Sequence, residues 1–213
     1  MIKPFSLIAC LVACPPVYAA EPFFADIWAD NWFEMRVNGV SVAEDSVPIT
    51  TERSFNAESF GFEATRPFVI GLVAKDFIEN DTGLEYIGSR RQQMGDGGVI
   101  AQITNGAGEV VAVSSAAWRC LVIHTAPLDK SCEAEPNPVA GEGACAFEIS
   151  EEPAGWDAPG FDASDWAPAT VYSARQVSPK GGYNRIDWHP DAAFVWGPDL
   201  EQSNTILCRG IVE

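Results

Sequence analysis

The sequence predicts an all-β protein, an antiparallel sandwich, and three observations carry that expectation. Residues 28–42, WADNWFEMRVNGVSV, announce a tight hairpin. Phe33, Met35 and Val37 alternate with Glu34 and Arg36, the period of a strand with one face buried and one wet. Asn38-Gly39 then supplies the two residues that tolerate φ > 0 in a type I′ turn, and Val40 and Val42 begin the return. The second observation is a series of short apolar runs separated by Gly, Pro and Asn clusters. The third is that no long segment has helical periodicity.

Taken in order, residues 45–58 are polar, contain Pro48, and read as a surface connection. Residues 60–63 and 66–74 read as strands; the second, RPFVIGLVA, is almost continuously apolar and therefore expected at the sheet centre, with Pro67 at its start, where a missing N–H is tolerated. Residues 75–98 mix acids and glycines without a period and predict a long loop at one end of the sandwich, the usual place for binding chemistry. VIAQIT and VVAV flank Asn105-Gly106-Ala107-Gly108, a second hairpin. Residues 118–124, 147–149, 186–188, 193–196 and 205–212 complete the predicted strands, while residues 125–143 read as loop. Trp156, Phe161 and Trp166 lie in a segment broken by Gly and Pro, so these aromatics must pack against something.

Residues 1–19 read as a secretory signal peptide: Lys3, an apolar run, then Val17-Tyr18-Ala19 at the cleavage point. The expected mature protein is residues 20–213, one β-sandwich domain, secreted or periplasmic, with no membrane span. Leu11-Val12-Ala13-Cys14 also resembles a bacterial lipobox, which makes lipoprotein anchoring through Cys14 the alternative. A formal charge of −17 excludes nucleic acid as a partner and favours cations and neutral ligands. Four cysteines outside the leader, in an exported chain, argue for disulfides over a metal site, and no CxxC pair is present. Of three possible connectivities, Cys132 with Cys145 and Cys120 with Cys208 is favoured: the first pins a Pro- and Gly-rich loop, the second ties the middle of the chain to its last strand.

The order of motifs resembles the galactose-binding-like jelly-roll modules attached to glycosidases such as β-galactosidases and α-rhamnosidases. WADNWFEMRVNG is similar to their VNG hairpin, GGVIAQI followed by SSAAW to their central strand, GWDAPGFDASDW to their W-x-x-P-x-F-D-D-S-x-W segment, and AAFVWGPD to their closing Trp strand. The resemblance implies a jelly-roll sandwich in which Trp156, Phe161 and Trp166 pack a crossover onto the sheet, and a module that binds sugar or stiffens a neighbour. The acidic 75–98 loop and the cysteine pairs depart from that pattern, and no catalytic barrel is attached.

Within the loop, Asp76, Glu79, Asp81 and Asp96 offer hard oxygen ligands and form the expected site of a structural calcium ion, though not with EF-hand spacing. A sugar site needs an aromatic platform ringed by planar polar groups. Tyr86, beside Arg90, Arg91 and Gln92, is the first choice, with Trp32 and Asn31 as further members. His124 reads as a satisfied histidine at a strand end, and no serine or cysteine sits in a nucleophile elbow, so no catalytic residue is assigned. The expected function is an exported, non-catalytic, carbohydrate-binding module acting through its loop end. The alternatives are a secreted structural or protein-interaction domain with a calcium-stabilised acidic loop, and a carboxylate-dependent glycoside hydrolase.

Overall fold

The computed structural model describes residues 19–51 and 56–213. The segment read as a signal peptide and lipobox lies almost wholly outside them. Among the described residues fifteen strands follow in chain order: β1 (Glu21–Asp30), β2 (Trp32–Val37), β3 (Val40–Glu44), β4 (Ala57–Ala64), β5 (Phe68–Lys75), β6 (Leu84–Glu85), β7 (Gln93–Met94), β8 (Gly98–Asn105), β9 (Val110–Val113), β10 (Arg119–Thr125), β11 (Glu148–Ile149), β12 (Ala167–Pro168), β13 (Thr170–Tyr172), β14 (Phe194–Trp196) and β15 (Ser203–Val212). One short helix, α1 (Ala174–Val177), starts from a Ser173–Gln176 capping box.

Two antiparallel sheets pack as a sandwich. One runs β13-β14-β8-β1-β4 with β9 on β8, the other β11-β10-β15-β5-β2-β3 with β12 on β10, and β6-β7 form a separate ribbon. The period of two builds the core between them. Phe23, Ala25, Ile27 and Ala29 of β1 face Phe33, Met35, Phe68, Ile70, Leu72, Ile206 and Cys208 of the opposite sheet, all buried. β5 lies between β15 and β2, as its unbroken apolar run requires. Asn38 takes φ 50° and Gly39 φ 84°, the left-handed pair that the hairpin needs.

Because β5 is central, its outer face is also covered. Val73 and Leu207 pack under Trp156, Ala163 and Trp166, with Trp32, Leu121, Ile123 and Phe161 at the margin. Arg209 clamps this crossover by donating from Nε to Trp156 O and from Nη2 to Ala158 O, both at 3.1 Å. Gly71 has no side chain because a Cβ there would stand 2.6 Å from Asp157 Cβ. The aromatics at 156, 161 and 166 therefore do pack a crossover onto the sheet.

Both disulfides are present, Cys120–Cys208 between neighbouring strands and Cys132–Cys145 within the 126–147 loop. They point to an oxidising, extracytoplasmic environment. Among the described residues no helix is long and apolar enough to cross a membrane. Two sequence readings need correction. Residues 21–30 form a ten-residue strand that the pattern did not announce. Residues 186–188 are not a strand: a 3-10 turn at Tyr183–Arg185 precedes them, and Trp188 stacks on Tyr183 with centroids 5.8 Å apart instead of entering a sheet.

Candidate functional site

Register places the loops. Asp30 stands opposite Gly98, Lys75 opposite both Thr205 and Trp32, and Thr125 opposite Ser203. The 76–97, 126–147 and 197–202 connections consequently gather at one end, where β1, β5 and β10 finish. They are tied together by Gln92 Nε2, which donates to Glu133 O and Glu135 O at 2.8 Å, and by Gly97 N–H on Leu200 O at 2.9 Å. Gly83, at φ 73°, lets the loop pass directly over the Ala126 carbonyl, which a Cβ would strike at 2.0 Å.

A cleft of about 560 Å³ opens at this end, on the outer face of the second sheet. Its floor is Lys75, Thr205 and His124, from the adjacent strands β5, β15 and β10. Asp76, Phe77, Ile78, Glu79 and Asp81 line one part of it, and Ile49 and Thr50 another. His124 is not the satisfied histidine that its sequence position suggested. Its Nε2 is buried without a hydrogen-bond partner, and the closest carboxylate, Asp81 Oδ1, is 3.8 Å away. Burial, opposed by Asp81, pulls the imidazole below its ordinary range, which favours the neutral ring. Lys75 Nζ lies 5.0 Å from the Trp32 ring centroid, so Trp32 is an aromatic neighbour of the cleft floor.

The residues expected to hold sugar are distributed over the loop end. Tyr86 is half-buried, at φ 52°, and the Arg91 guanidinium stacks 4.1 Å from its ring centroid, covering the platform face. Arg90 is exposed, and Gln92 is engaged in tying the loop down. Trp32 belongs to the crossover cluster, and buried Asn31 accepts the Phe77 N–H at 2.6 Å through Oδ1. The four expected metal ligands separate into two groups. Glu79 and Asp81 face the cleft, and Glu79 Oε1 accepts the Ile87 N–H. Asp76 also lines the cleft, but its carboxyl is buried near Asp30: burial and neighbouring carboxylates push Asp76 up in pKa and Asp30 to about 8, while burial raises Asp96 against the pull of Lys180.

No serine or cysteine lines the cleft. Asp30, a carboxyl whose raised pKa would suit a general acid, is completely buried and beyond the reach of any substrate. Sequence reasoning missed Asp30 and set His124 aside as a satisfied histidine, each embedded in a strand whose apolar neighbours gave no sign of a site. No protein-family model, curated protein or solved structure matches this chain.

Proposed function

We propose that this chain is a non-catalytic binding module of the extracytoplasmic space that holds a neutral saccharide in the Lys75–His124–Thr205 cleft. The supporting observation is the composition of that cleft. Donors (Lys75, Thr205) and acceptors (Glu79, Asp81) stand around the partnerless His124 Nε2, with apolar Ile49, Phe77 and Ile78 between them. A sugar ring presents the same mixture, hydroxyls at its rim and C–H groups on its faces. Neutral sugars fit better than anionic ones, because a formal charge of −17 repels polyanions. The site lies beside Trp32 and away from Tyr86, whose stacking face Arg91 occupies.

The test is a glycan array probed with the wild-type chain, Lys75→Ala and His124→Ala, with recovered glycans assayed for new reducing ends. The expected result is binding to one coherent class of neutral glycan, weakened about tenfold or more by each substitution, and no cleavage. An array left blank by folded, disulfide-intact protein defeats the reading, as does binding that both variants retain. Cleavage transfers it to the hydrolases.

A further inference from the structure

Asp30 closes β1 and Asp76 directly follows β5, so each sheet delivers one carboxylate to the loop end. Their exposures are 0 % and 3 %, and none of their four oxygens has a hydrogen-bond partner. The adjacent Phe77 N–H makes its hydrogen bond to Asn31 Oδ1 at 2.6 Å. An ionised carboxylate so placed costs several kcal/mol unless an opposite charge compensates it. The nearby cation, Lys180, reaches Asp96 at 3.6 Å and opposes only part of the upward pressure on Asp30.

Two neighbours are shaped to the same place. Asn204, 1 % exposed, receives the Asp76 N–H on its carbonyl at 2.9 Å, yet its side-chain Oδ1 and Nδ2 are both partnerless. Gly95 holds bare backbone against the Asp76 carboxylate, where a Cβ would lie 1.7 Å from Oδ2. Protonating the two carboxyls does not solve the problem. It neutralises them but adds O–H donors to a space that already lacks partners, and leaves the Asn204 amide as it was.

We propose that Asp30 and Asp76 bind a calcium ion, with the Asn204 amide oxygen as a third ligand and main-chain or water oxygens completing the shell. Every donor is oxygen, the preference of a hard cation, and two carboxylates match its double charge. Among the described residues no three Asp, Glu, His or Cys side chains form a ready-made metal group, so neutral oxygens must supply the rest. Asp76 lines the cleft, which gives the ion a route from solvent. The inference does not rest on the saccharide reading, and its test uses no sugar.

The purified chain, disulfides intact, is stripped with EDTA and titrated with calcium chloride by isothermal calorimetry, with melting followed in calcium and in EDTA. One ion per chain and a higher melting temperature in calcium are expected. Asp30→Asn and Asp76→Asn should each weaken calcium binding at least about tenfold. In EDTA they should melt no lower than wild type, because a buried carboxyl that no hydrogen-bond partner satisfies has been replaced. Glu79→Gln and Asp81→Asn should bind calcium like wild type. Folded wild-type protein that takes up no calcium and melts identically in calcium and EDTA overturns the proposal, as does unchanged affinity in both Asp→Asn variants. If those variants fail to fold, the wild-type titration and melts decide alone.

Discussion

Replacing the two disulfides separately should produce unequal losses, and the inequality can be calculated. Cys120 and Cys208 are separated by 88 residues, Cys132 and Cys145 by 13. In the chain-entropy account, a bridge stabilises by restricting the unfolded chain, and the restriction grows with the logarithm of the loop it closes. The longer loop is then worth about 4–5 kcal/mol and the shorter about 3 kcal/mol. Packing losses largely cancel in the comparison, since all four sulfurs are buried. The double variants Cys120→Ala/Cys208→Ala and Cys132→Ala/Cys145→Ala, unfolded in urea beside wild type, should therefore differ by roughly 1.5–2 kcal/mol. For a domain of this size that is a melting difference of about 3–8 °C. Equal losses, or a greater loss from opening the short loop, would refute the entropic reasoning and assign the stabilisation to native contacts around each bridge.

Three more outcomes follow from the same coordinates. Gly71→Ala forces a Cβ to within 2.6 Å of Asp157 Cβ and 3.1 Å of the Trp156 ring, so urea unfolding should show a loss of about 1–3 kcal/mol, and an unchanged midpoint would mean that the crossover is not seated as described. Trp156→Ala removes the buried ring that covers Val73 and Leu207 and should cost about 3–5 kcal/mol by the same assay, a loss under 1 kcal/mol being incompatible with the packing. The third outcome concerns pH in EDTA. Asp30 ionises near 3.8 when unfolded but at about 8 when folded, so the folded chain holds the extra proton and its contribution to stability, full below pH 3.8, is lost as pH rises toward 8. From pH 5 to pH 7 wild type should lose about 3 kcal/mol relative to Asp30→Asn, and parallel pH profiles for the two proteins would contradict the burial of that carboxyl.

Legibility in the sequence followed the physics of each element. The 32–44 hairpin could be read because its alternation is clean and Asn38-Gly39 allows few other turns. β5 could be read because burial on both faces leaves a nearly unbroken apolar run. The disulfide pairing followed from compartment and loop size. β1 was missed because both of its faces carry apolar residues: Phe23 and Ile27 point into the sandwich while Trp28 packs outside on Ile100, Val177 and Phe194, so no period of two is visible. The expected strand at 186–188 failed for the opposite reason. Ile186 and Trp188 do alternate, but the Trp188 Nε1–H is given to Tyr183 O at 3.0 Å and the segment folds back on itself.

The candidate site was legible only as a region. Composition located the acidic 75–98 loop, but which of its acids converge depends on pairing between strands far apart in sequence. Asp30 comes near Asp76 because Asn31, next in the chain, crosses to the other sheet, giving its N–H to Lys75 O and accepting the Phe77 N–H, and nothing local to either residue reports that. His124 reaches the cleft through the irregular register between β10 and β15, which shifts at that residue.

The most direct test of the binding account is a ¹H–¹⁵N chemical-shift map of the chain titrated with the glycan that the array selects. The cleft predicts the largest shifts at Lys75, Asp81, His124 and Thr205, with Tyr86, Arg90 and Arg91 nearly still. Shifts concentrated at Tyr86 and Arg91 would contradict it and return the sugar site to the face that Arg91 now covers.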